Sequence, residues 1–344
     1  MSPFFRCFRR EKMILSGYGL THQGNVRQNN EDNFYLFGKY KNDVNMLTME
    51  EECEIPDELA LVGVFDGMGG EEAGEIASLI AAEGVSPSVI ETAESSAKEQ
   101  IFKINEKVCE EIRIRQARVG TTAVLLYFDK GEAVSINIGD SRSYCLRNGR
   151  LIGLSKDHSE GQSMVDMGVF TEEEAKKNKA WHKLTQHIGI FPEEFIIEPY
   201  SSGRMKTEDG DIYLLCSDGL TDMLSNEEIA AIMKQNSGTD LSVMAHALRD
   251  AALNAGGKDN VTVVLVRVCN KAGNNNESNG KKILKNSIIG IPVAAMLLLG
   301  IVLGVKAIRS EDDETKKTRV NTEKEVVSDN MIINILKNYS NREE

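Results

Sequence analysis

The most distinctive hydrophobic pattern in the chain is an apolar run at residues 61–65 that ends at Asp66 and a glycine-rich turn around Met68. An apolar run bounded by turn signals predicts a buried strand. The glycines allow positive φ angles and close backbone approach, so a ligand could reach main-chain atoms beside Asp66. The design recurs at residues 211–219, where a second apolar run ends in Asp218 before a glycine. Two buried strands that each deliver a carboxylate are therefore predicted.

Helical periodicity follows the first of these strands. Residues 70–84 and 95–115 carry apolar side chains at helical spacing, which predicts two amphipathic helices packed on a sheet. Two more helices are predicted from Asn226 and through residues 241–255. Charged residues dominate 156–198 and strand signals are weak there, so this segment is interpreted as a flap over the edge of the sheet.

Strand patterns fill the middle and the end of the same region. Residues 120–155 have the period of strands, and tight turns at 129–132 and 148–149 separate the runs. Consecutive strands joined by tight turns form antiparallel pairs. A last strand is predicted at 260–268. Residues 42–56 are polar, acidic and turn-like, and they are predicted to form a loop.

These patterns divide the chain into one large domain and several short segments. The domain is predicted to end near Val268, because the following residues have the composition of a flexible linker. The predicted order is a basic N-terminal extension at 1–13, a domain at 14–269, a linker at 270–286, a transmembrane helix at 287–305 and a short charged tail at 306–344.

The segment at 287–305 predicts a membrane span because it is uncharged and of the right length. Roughly 19 residues at about 1.5 Å rise per residue nearly match the thickness of a bilayer core. No further domain follows that would bury such a helix. Three lysines lie on its N-terminal side, against Lys306 and Arg309 on the other. The chain is predicted to be a single-pass protein of the cell membrane with its large domain in the cytoplasm.

The composition of the chain limits the classes of function that it could have. A net charge of −13 disfavours nucleic acid as a partner, because binding a polyanion requires concentrated Lys and Arg. The six cysteines are scattered, with no CxxC pair and no zinc-type spacing, which favours a reducing cytosol. The N-terminus lacks the apolar core of a signal peptide. We therefore expect a globular cytosolic domain without a nucleic-acid partner.

Four acidic residues call for a common explanation. Asp66 and Asp218 end apolar strands. Asp259 directly precedes the last strand, and Asp140 lies in the segment IGDSR. Taken singly, each fits an ordinary turn. Ionised carboxylates at buried strand ends, however, repel one another and lose solvation unless cations neutralise them. A cluster of oxygen ligands without Cys or His suits Mg²⁺ or Mn²⁺.

Two such ions can hold a hydroxide for attack and bind the oxygens of a phosphoryl group. Arg27 then has a role, because a guanidinium fork matches two phosphate oxygens. Its ordinary interpretation, an exposed arginine on a strand, is weakened by neighbouring Glu31 and Asp32. No Cys lies in a phosphate-cradling loop followed by Arg, which argues against a thiol-based mechanism.

Six motifs occur in an order that resembles a known family. They are GNVRQNNED, VFDGMGG, GTTAVLL, NIGDSRSY, LCSDGLTD and GGKDNVTVV. Together they resemble the metal-dependent serine/threonine protein phosphatases of the PPM class, protein phosphatase 2C-like, and their bacterial branch in particular. The resemblance covers about residues 14–268. It implies an α+β fold, a four-layer α-β-β-α sandwich of two antiparallel sheets flanked by helices, to which the predicted C-terminal transmembrane helix is added.

The resemblance also implies a role for each site residue. Asp66 bridges two Mn²⁺ or Mg²⁺ ions, and Gly67 offers its carbonyl. Asp218 and Asp259 complete the coordination of one ion. The remaining implied roles are that Glu31 and Asp32 hold waters of the cluster, that Arg27 binds the substrate phosphate, and that Asp140 and Asp222, with Asp218, form a third, weaker metal site.

The implied function is hydrolysis of phosphoserine and phosphothreonine in proteins by in-line attack of water or hydroxide bound to two metals. A domain, linker and single span also resemble bacterial phosphatases that counter membrane serine/threonine kinases, so phosphoproteins and a kinase are the expected partners. The alternative is a catalytically inactive, membrane-tethered module that binds phosphoproteins. Intact Asp66, Asp218 and Asp259 favour the active enzyme. Hydrolysis of small phosphoesters stays open, since metal sites do not define their substrates.

Two positions depart from the family pattern. Met68 occupies the place where many eukaryotic relatives have a histidine thought to protonate the leaving oxygen, so a metal-bound water is expected to supply that proton. His158, His182 and His187 are candidate substitutes, although an isolated histidine is more often structural. Where relatives usually have LTRALG, this chain has LTQHIG, and Gln186 leaves recognition of substrate by the flap open.

Overall fold

The computed structural model of the chain describes residues 13–56, 59–69, 74–85, 93–171, 174 and 182–270. The chain divides into two units, Met1–Asn275 and Asn276–Glu344, and all the described residues belong to the first. Among them, no helix is long and apolar enough to cross a membrane. The N-terminal extension before Met13, the linker after Asn270, the predicted membrane helix and the charged tail lie outside the described residues.

The elements are numbered in chain order. The strands are β1 (Met13–His22), β2 (Asn33–Leu36), β3 (Lys39–Tyr40), β4 (Thr48–Pro56), β5 (Leu59–Phe65), β6 (Gly67–Gly69), β7 (Val119–Thr121), β8 (Ala123–Asp129), β9 (Glu132–Ile138), β10 (Arg142–Arg147), β11 (Arg150–Gly153), β12 (Tyr200–Lys206), β13 (Ile212–Cys216) and β14 (Val261–Asn270). The helices are α1 (Gly74–Gly84), α2 (Ala93–Arg115), α3 (Glu160–Asp166), α4 (Asp218–Thr221), α5 (Asn226–Gln235) and α6 (Leu241–Asn254).

Two six-stranded sheets form the centre of the domain. One has the order β11-β10-β13-β14-β1-β4 and the other β12-β9-β8-β5-β2-β3, while β6 and β7 form a small separate pair. Paired strands run antiparallel in all three sheets. The predicted tight turns are confirmed: Lys130 and Gly131 join β8 to β9, Asn148 and Gly149 join β10 to β11, and all four have positive φ. Positive φ at both central residues is what a two-residue hairpin turn requires.

Three hydrophobic cores hold four layers together. The first packs α1 and α2 on one sheet, the second packs α5 and α6 on the other, and the third lies between the sheets. Because successive side chains of a strand point to opposite faces, β14 sends Val263 and Leu265 towards the helices. It sends Val264 and Val266 into the core between the sheets. The expected arrangement of two antiparallel sheets flanked by helices is confirmed.

The predicted helices have clear local causes. Helix α5 begins at Asn226, as predicted, because the Ser225 hydroxyl accepts the Glu228 N–H while the Glu228 carboxylate accepts the Ser225 N–H. Helix α2 ends at Arg115, as predicted, and Gln116 follows with a φ of 54°. A left-handed residue after the last turn is a common way to end a helix.

The prediction of a loop at residues 42–56 is wrong for its second half. Residues 48–56 form β4, an edge strand that pairs along its whole length with β1. Met49, Cys53 and Ile55 lie against the core between the sheets, whereas Glu50, Glu52 and Glu54 are exposed. An edge strand tolerates a charged outer face, and its acidic residues hid a short alternating pattern.

The segment interpreted as a flap contains one described helix and isolated strand bridges. Helix α3 begins after Ser159, whose hydroxyl accepts the Gln162 N–H. Isolated bridges join Ser159 to Leu184 and Thr121 to Ile188. Strand β12, which follows the segment and pairs with β9, was not predicted. Its exposed polar residues, arranged around a bulge, give no clean alternation.

Candidate active site

Strand ends from both sheets meet at a cleft of about 420 Å³. Most of the predicted site residues line it, namely Arg27, Glu31, Asp66, Gly67, Asp140, Asp218 and Asp259. The other two are close by: Asp32 is buried, and Asp222 lines a neighbouring groove that shares His182 and Asp259 with the cleft. The structure therefore brings together carboxylates that lie almost 230 residues apart in the sequence.

Asp66 is held in place through its backbone, where β5 ends. Its N–H donates to the Thr122 hydroxyl oxygen at 3.1 Å, and its carbonyl accepts the Thr122 N–H at 2.8 Å. The Thr121 hydroxyl also donates to this carbonyl at 2.9 Å. These bonds fix the residue against β7 and β8, so the Asp66 carboxylate is left for the cleft.

Asp218 reaches the cleft from the other sheet. It follows β13 as the first residue of the short helix α4, and its carbonyl accepts the Asp222 N–H at 2.8 Å. Its Oδ1 atom is buried and has no hydrogen-bond partner in the part of the chain that the structure describes. Buried polar atoms are nearly always paired, so an unpaired carboxylate oxygen indicates a missing ligand.

The pKa values of the clustered aspartates also indicate a missing cation. Burial and then the neighbouring aspartates raise the pKa of Asp66 and of Asp218 well above the usual value. Burial, reinforced by Asp157, raises the pKa of Asp140 to about 7. The pKa of Asp222 is raised as well, first by burial. The protein alone thus favours protonated forms of acids that a bound cation would ionise.

One arginine lies among these carboxylates. The Arg27 Nη2 atom donates to Asp259 Oδ2 at 2.6 Å, and both side chains are partly exposed. The other oxygen of Asp259 accepts the Asn260 N–H at 2.8 Å. Arg142, on β10, is instead occupied by a bidentate pair with Asp157, with distances of 2.6 to 3.1 Å. Neither arginine therefore pairs with Asp66 or Asp218.

Asp32 lies behind the cleft in a buried polar network. Its Oδ2 atom accepts the Ser217 hydroxyl at 2.7 Å and the Thr262 hydroxyl at 2.6 Å. Burial raises the pKa of Asp32 to about 6, which these two hydroxyl groups oppose. Asp32 is also the first neighbouring charge that raises the pKa of Asp66. The network joins the segment that carries Glu31 to both β13 and β14.

Asn260 is a structural residue of the site that the sequence analysis missed. Its Oδ1 atom accepts the Glu31 N–H at 2.7 Å. Its amide nitrogen donates to the carbonyls of Gln23 and Asn29, both at 2.9 Å. One side chain thereby holds the loop with Arg27 and Glu31 beside Asp259. The available signal was an amide next to a candidate ligand and before a strand, where loops are often anchored by Asn side chains.

Gly67 is required by close packing. A Cβ atom at this position would lie 2.2 Å from the Gly74 carbonyl oxygen and 2.5 Å from the Glu31 carbonyl oxygen. Neither Gly67 nor Gly69 has a positive φ angle. The close approach of the backbone is therefore found, but these two glycines do not adopt the left-handed conformation that glycine allows. Gly70 lies outside the described residues.

The histidines differ in their surroundings. The Nδ1 atom of His158 accepts the Gly139 N–H at 3.2 Å, and its backbone binds the same residue, so its role is structural. His187 lines the cleft. His182 lies 3.5 Å from Asp222, and one ligand atom from each of His182, Asp218 and Asp222 can be chosen so that all lie within 4.8 Å. Sequence reasoning gave His182 little weight because its partners lie far away in the chain.

These residues fit a site for divalent cations. The unpaired Asp218 Oδ1, the raised pKa values and the oxygen-rich donor set are those expected where a hard cation completes the structure. Two ions with such ligands can activate water and neutralise a phosphoryl group. Arg27 adds a cationic fork at the mouth of the cleft.

Comparison with known proteins gives consistent results. The model of the family described as Protein phosphatase 2C matches residues 52–254. The serine/threonine phosphatase stp of Listeria welshimeri is 31% identical over 259 residues, which is 72% of this chain and 93% of the relative. The serine/threonine protein phosphatase PstP of Mycobacterium tuberculosis is 32% identical over 271 residues, 75% of this chain and 46% of the relative.

Two solved structures resemble the fold closely. The S. agalactiae serine/threonine phosphatase is 30% identical with a TM-score of 0.62, and the alignment covers 74% of this chain and 99% of that one. The catalytic domain of the serine threonine protein phosphatase PstP, in complex with two manganese ions, is 28% identical with a TM-score of 0.61. That alignment covers 75% of this chain and all of the other.

Proposed function

We propose, because the chain belongs to the protein phosphatase 2C family, that it hydrolyses phosphoserine and phosphothreonine in proteins. It is a metal-dependent phosphatase that uses two Mn²⁺ or Mg²⁺ ions. The observation that carries the proposal is the carboxylate cluster in the cleft, with an unpaired, buried oxygen on Asp218. Its phosphoprotein substrates follow from the activity of the named relatives.

The residues that would hold the two ions are those of the cleft. Asp66, the Gly67 carbonyl, Asp218 and Asp259 would provide the direct ligands. Glu31 and Asp32 would hold waters of the cluster. When bound, the ions supply Lewis-acid activation of the attacking water and neutralise charge on the phosphoryl group. A third, weaker site would use Asp140 and Asp222 with Asp218, and His182 lies close enough to join it.

The chain itself positions the substrate. Arg27 binds the phosphate, since its guanidinium lies at the cleft and is held beside the cluster by Asp259. Asn260 fixes the loop that carries Arg27 and Glu31, so the fork and the ligands keep one relative position. Met68 has no proton to donate, and water therefore protonates the departing serine or threonine oxygen.

The alternative, a catalytically inactive binding module, finds no support. The named relatives of the chain are phosphatases, and the acidic residues of the cleft are all present. The test is phosphate release from a phosphothreonine peptide by the purified full chain, with Mn²⁺ and with a chelator. We expect turnover only with metal, and an Asp66→Asn variant that folds but does not turn over. Turnover that persists in the chelator, or in that variant, would refute the proposal.

Membrane attachment is a separate part of the proposal. The uncharged segment at 287–305 would anchor the chain in the cell membrane with the phosphatase domain in the cytoplasm, where a serine/threonine kinase would be its counterpart. The chain should sediment with membranes, resist high salt and dissolve in detergent, whereas a version that stops at residue 270 should not sediment. Protease added outside intact cells should remove only the tail. Release by salt, or digestion of the domain, would overturn this arrangement.

A further inference from the structure

A second cavity of about 430 Å³ lies beside the catalytic cleft and has no role in the chemistry described above. It is formed by the end of α2, the start of β7 and the flap residues that follow His187. Met68, Gly69 and His187 line both cavities. The cavity, called here the side groove, is therefore adjacent to the cleft in which the phosphoryl group is proposed to react.

The small sheet of β6 and β7 explains why the two cavities are adjacent. Strand β6, which directly follows Asp66, pairs with β7, and Gly69 lies opposite Val119. Gln116, which follows the last residue of α2, turns the chain towards β7 with a left-handed backbone. Arg118 is therefore one residue from the strand that flanks the cleft, and it lines the side groove.

The side groove has an apolar floor. Ile112 and Val119 are buried in the core beneath α2, and Ile190 and Phe191 pack against the same core from the flap. The Arg113 guanidinium lies over the Phe191 ring, 4.8 Å from its centre. An apolar floor with a few polar groups at the rim is typical of sites that bind an extended peptide or a small ligand.

The charged residues of the groove favour an anionic occupant. Two arginines, Arg113 and Arg118, line it against one carboxylate, Glu194. Arg113 is engaged by Phe191 and lies 3.6 Å from Glu193. Arg118 is exposed and makes no ion pair with any residue that the structure describes. The Arg118 guanidinium is therefore available to pair with an anionic group of a ligand.

We propose that the side groove binds the substrate polypeptide next to the phosphorylated residue and that Arg118 selects an acidic side chain there. This inference rests on the proposed phosphatase function. The occupant is the substrate itself, because the groove shares three lining residues with the cleft that must hold its phosphate. The apolar floor accepts the backbone and aliphatic atoms of the peptide, and Arg118 pairs with a carboxylate at a fixed distance from the phosphorylated residue.

The test compares phosphothreonine peptides that carry Asp, Ala or Lys at single positions, up to four residues before or after the phosphothreonine. The kcat/KM of the full chain with Mn²⁺ should be highest for Asp at one position or at two adjacent positions on one side. We expect about a two- to fivefold advantage over Ala, the ratio typical of one exposed ion pair. Arg118→Ala should remove this advantage, and Arg118→Glu should reverse it in favour of Lys.

Arg115→Glu is the matched control. Arg115 is three residues away, lies outside the groove and pairs with Glu111, so the same charge change there should leave the peptide preference unaltered. Activity towards p-nitrophenyl phosphate, which cannot reach the groove and the cleft at once, should be equal in all these variants. That activity also shows that each variant is folded and binds metal.

The outcomes separate the two levels of the proposal. If the wild-type chain hydrolyses neither p-nitrophenyl phosphate nor the peptides, the phosphatase function itself fails. If it hydrolyses both but prefers Asp at no position, the role of the side groove is refuted. The role is also refuted if Arg118→Glu keeps the wild-type preference, or if Arg115→Glu changes the preference by the same factor.

Discussion

Strand β13 has an aspartate near each of its ends, and the two differ in what surrounds them. Asp211, just before the strand, is buried and receives two hydrogen bonds from Arg147, at 2.8 and 2.6 Å. Asp218, just after the strand, has a buried oxygen without a partner, and burial raises its pKa well above the usual value. One strand therefore connects a carboxylate whose hydrogen bonds are complete to a carboxylate with an unpaired oxygen.

The difference shows what each end of the strand is for. A buried carboxylate is tolerated when a cation and hydrogen bonds compensate the loss of water. The chain supplies that cation to Asp211 but pairs none with Asp218 among the described residues, since Arg142 and Arg27 are held by Asp157 and Asp259. The end with Arg147 is structural. At the other end we propose that a bound ion supplies the compensating charge and that the phosphatase chemistry takes place there.

The largest expected effect is on catalysis. Asp218→Asn should lower kcat/KM for a phosphothreonine peptide by on the order of 1,000-fold, because a metal ion contributes several kcal/mol to the transition state. The circular dichroism spectrum should not change. Asp240→Asn, at the exposed start of α6, is the matched control and should keep full activity. An Asp218→Asn variant with more than about a tenth of wild-type activity would break the comparison.

A substitution at the opposite end of β13 should lower the stability of the protein and leave its activity unchanged. Arg147→Ala leaves the Asp211 carboxylate buried without its cation, so the free energy of unfolding should fall by about 3–5 kcal/mol. Urea denaturation measures this value, and the folded fraction should retain its kcat. Arg150→Ala, on the exposed face of β11, should cost less than about 0.5 kcal/mol. A loss below about 1 kcal/mol for Arg147→Ala would contradict a structural role.

Arg27 provides a sharper contrast with Arg147, since each binds an aspartate at 2.6 Å. The pair of Arg27 with Asp259 is much more exposed, so Arg27→Ala should change the free energy of unfolding by less than about 1 kcal/mol. Its KM for phosphopeptide should rise about tenfold, because the phosphate loses a charged hydrogen-bonding partner. Steady-state kinetics and denaturation on one preparation separate the two effects, and an unchanged KM would remove Arg27 from the phosphate site.

The last expected effect is on the pH dependence of the free energy of unfolding of the metal-free protein. The pKa is raised to about 6 for Asp32 and to about 7 for Asp140, so the folded protein binds more protons than the unfolded chain. Its free energy of unfolding should therefore fall as the pH rises from about 4 to about 7, by up to about 1.4 kcal/mol per pH unit for each proton released. Saturating Mn²⁺ should flatten this slope. A metal-free stability that rises over the range would contradict the uncompensated cluster.

The sequence predicted the strands that carry Asp66 and Asp218 because apolar runs before Asp-Gly are local signals. It did not predict β4, since alternating glutamates conceal the three apolar residues that face the core. It also could not reveal that Arg147 faces Asp211, because that pairing depends on the antiparallel register of β10 and β13. The same limit applies to Asn260, which acts on a loop 230 residues away.

The most direct test of the central claim is the number of Mn²⁺ ions that the full chain binds, measured by isothermal titration calorimetry. The wild-type chain and the Asp240→Asn control should each bind two ions with the same affinity. Asp66→Asn and Asp218→Asn, both folded, should lose at least one of them. Two ions bound with wild-type affinity by both cluster variants would show that Asp66 and Asp218 are not part of the metal site.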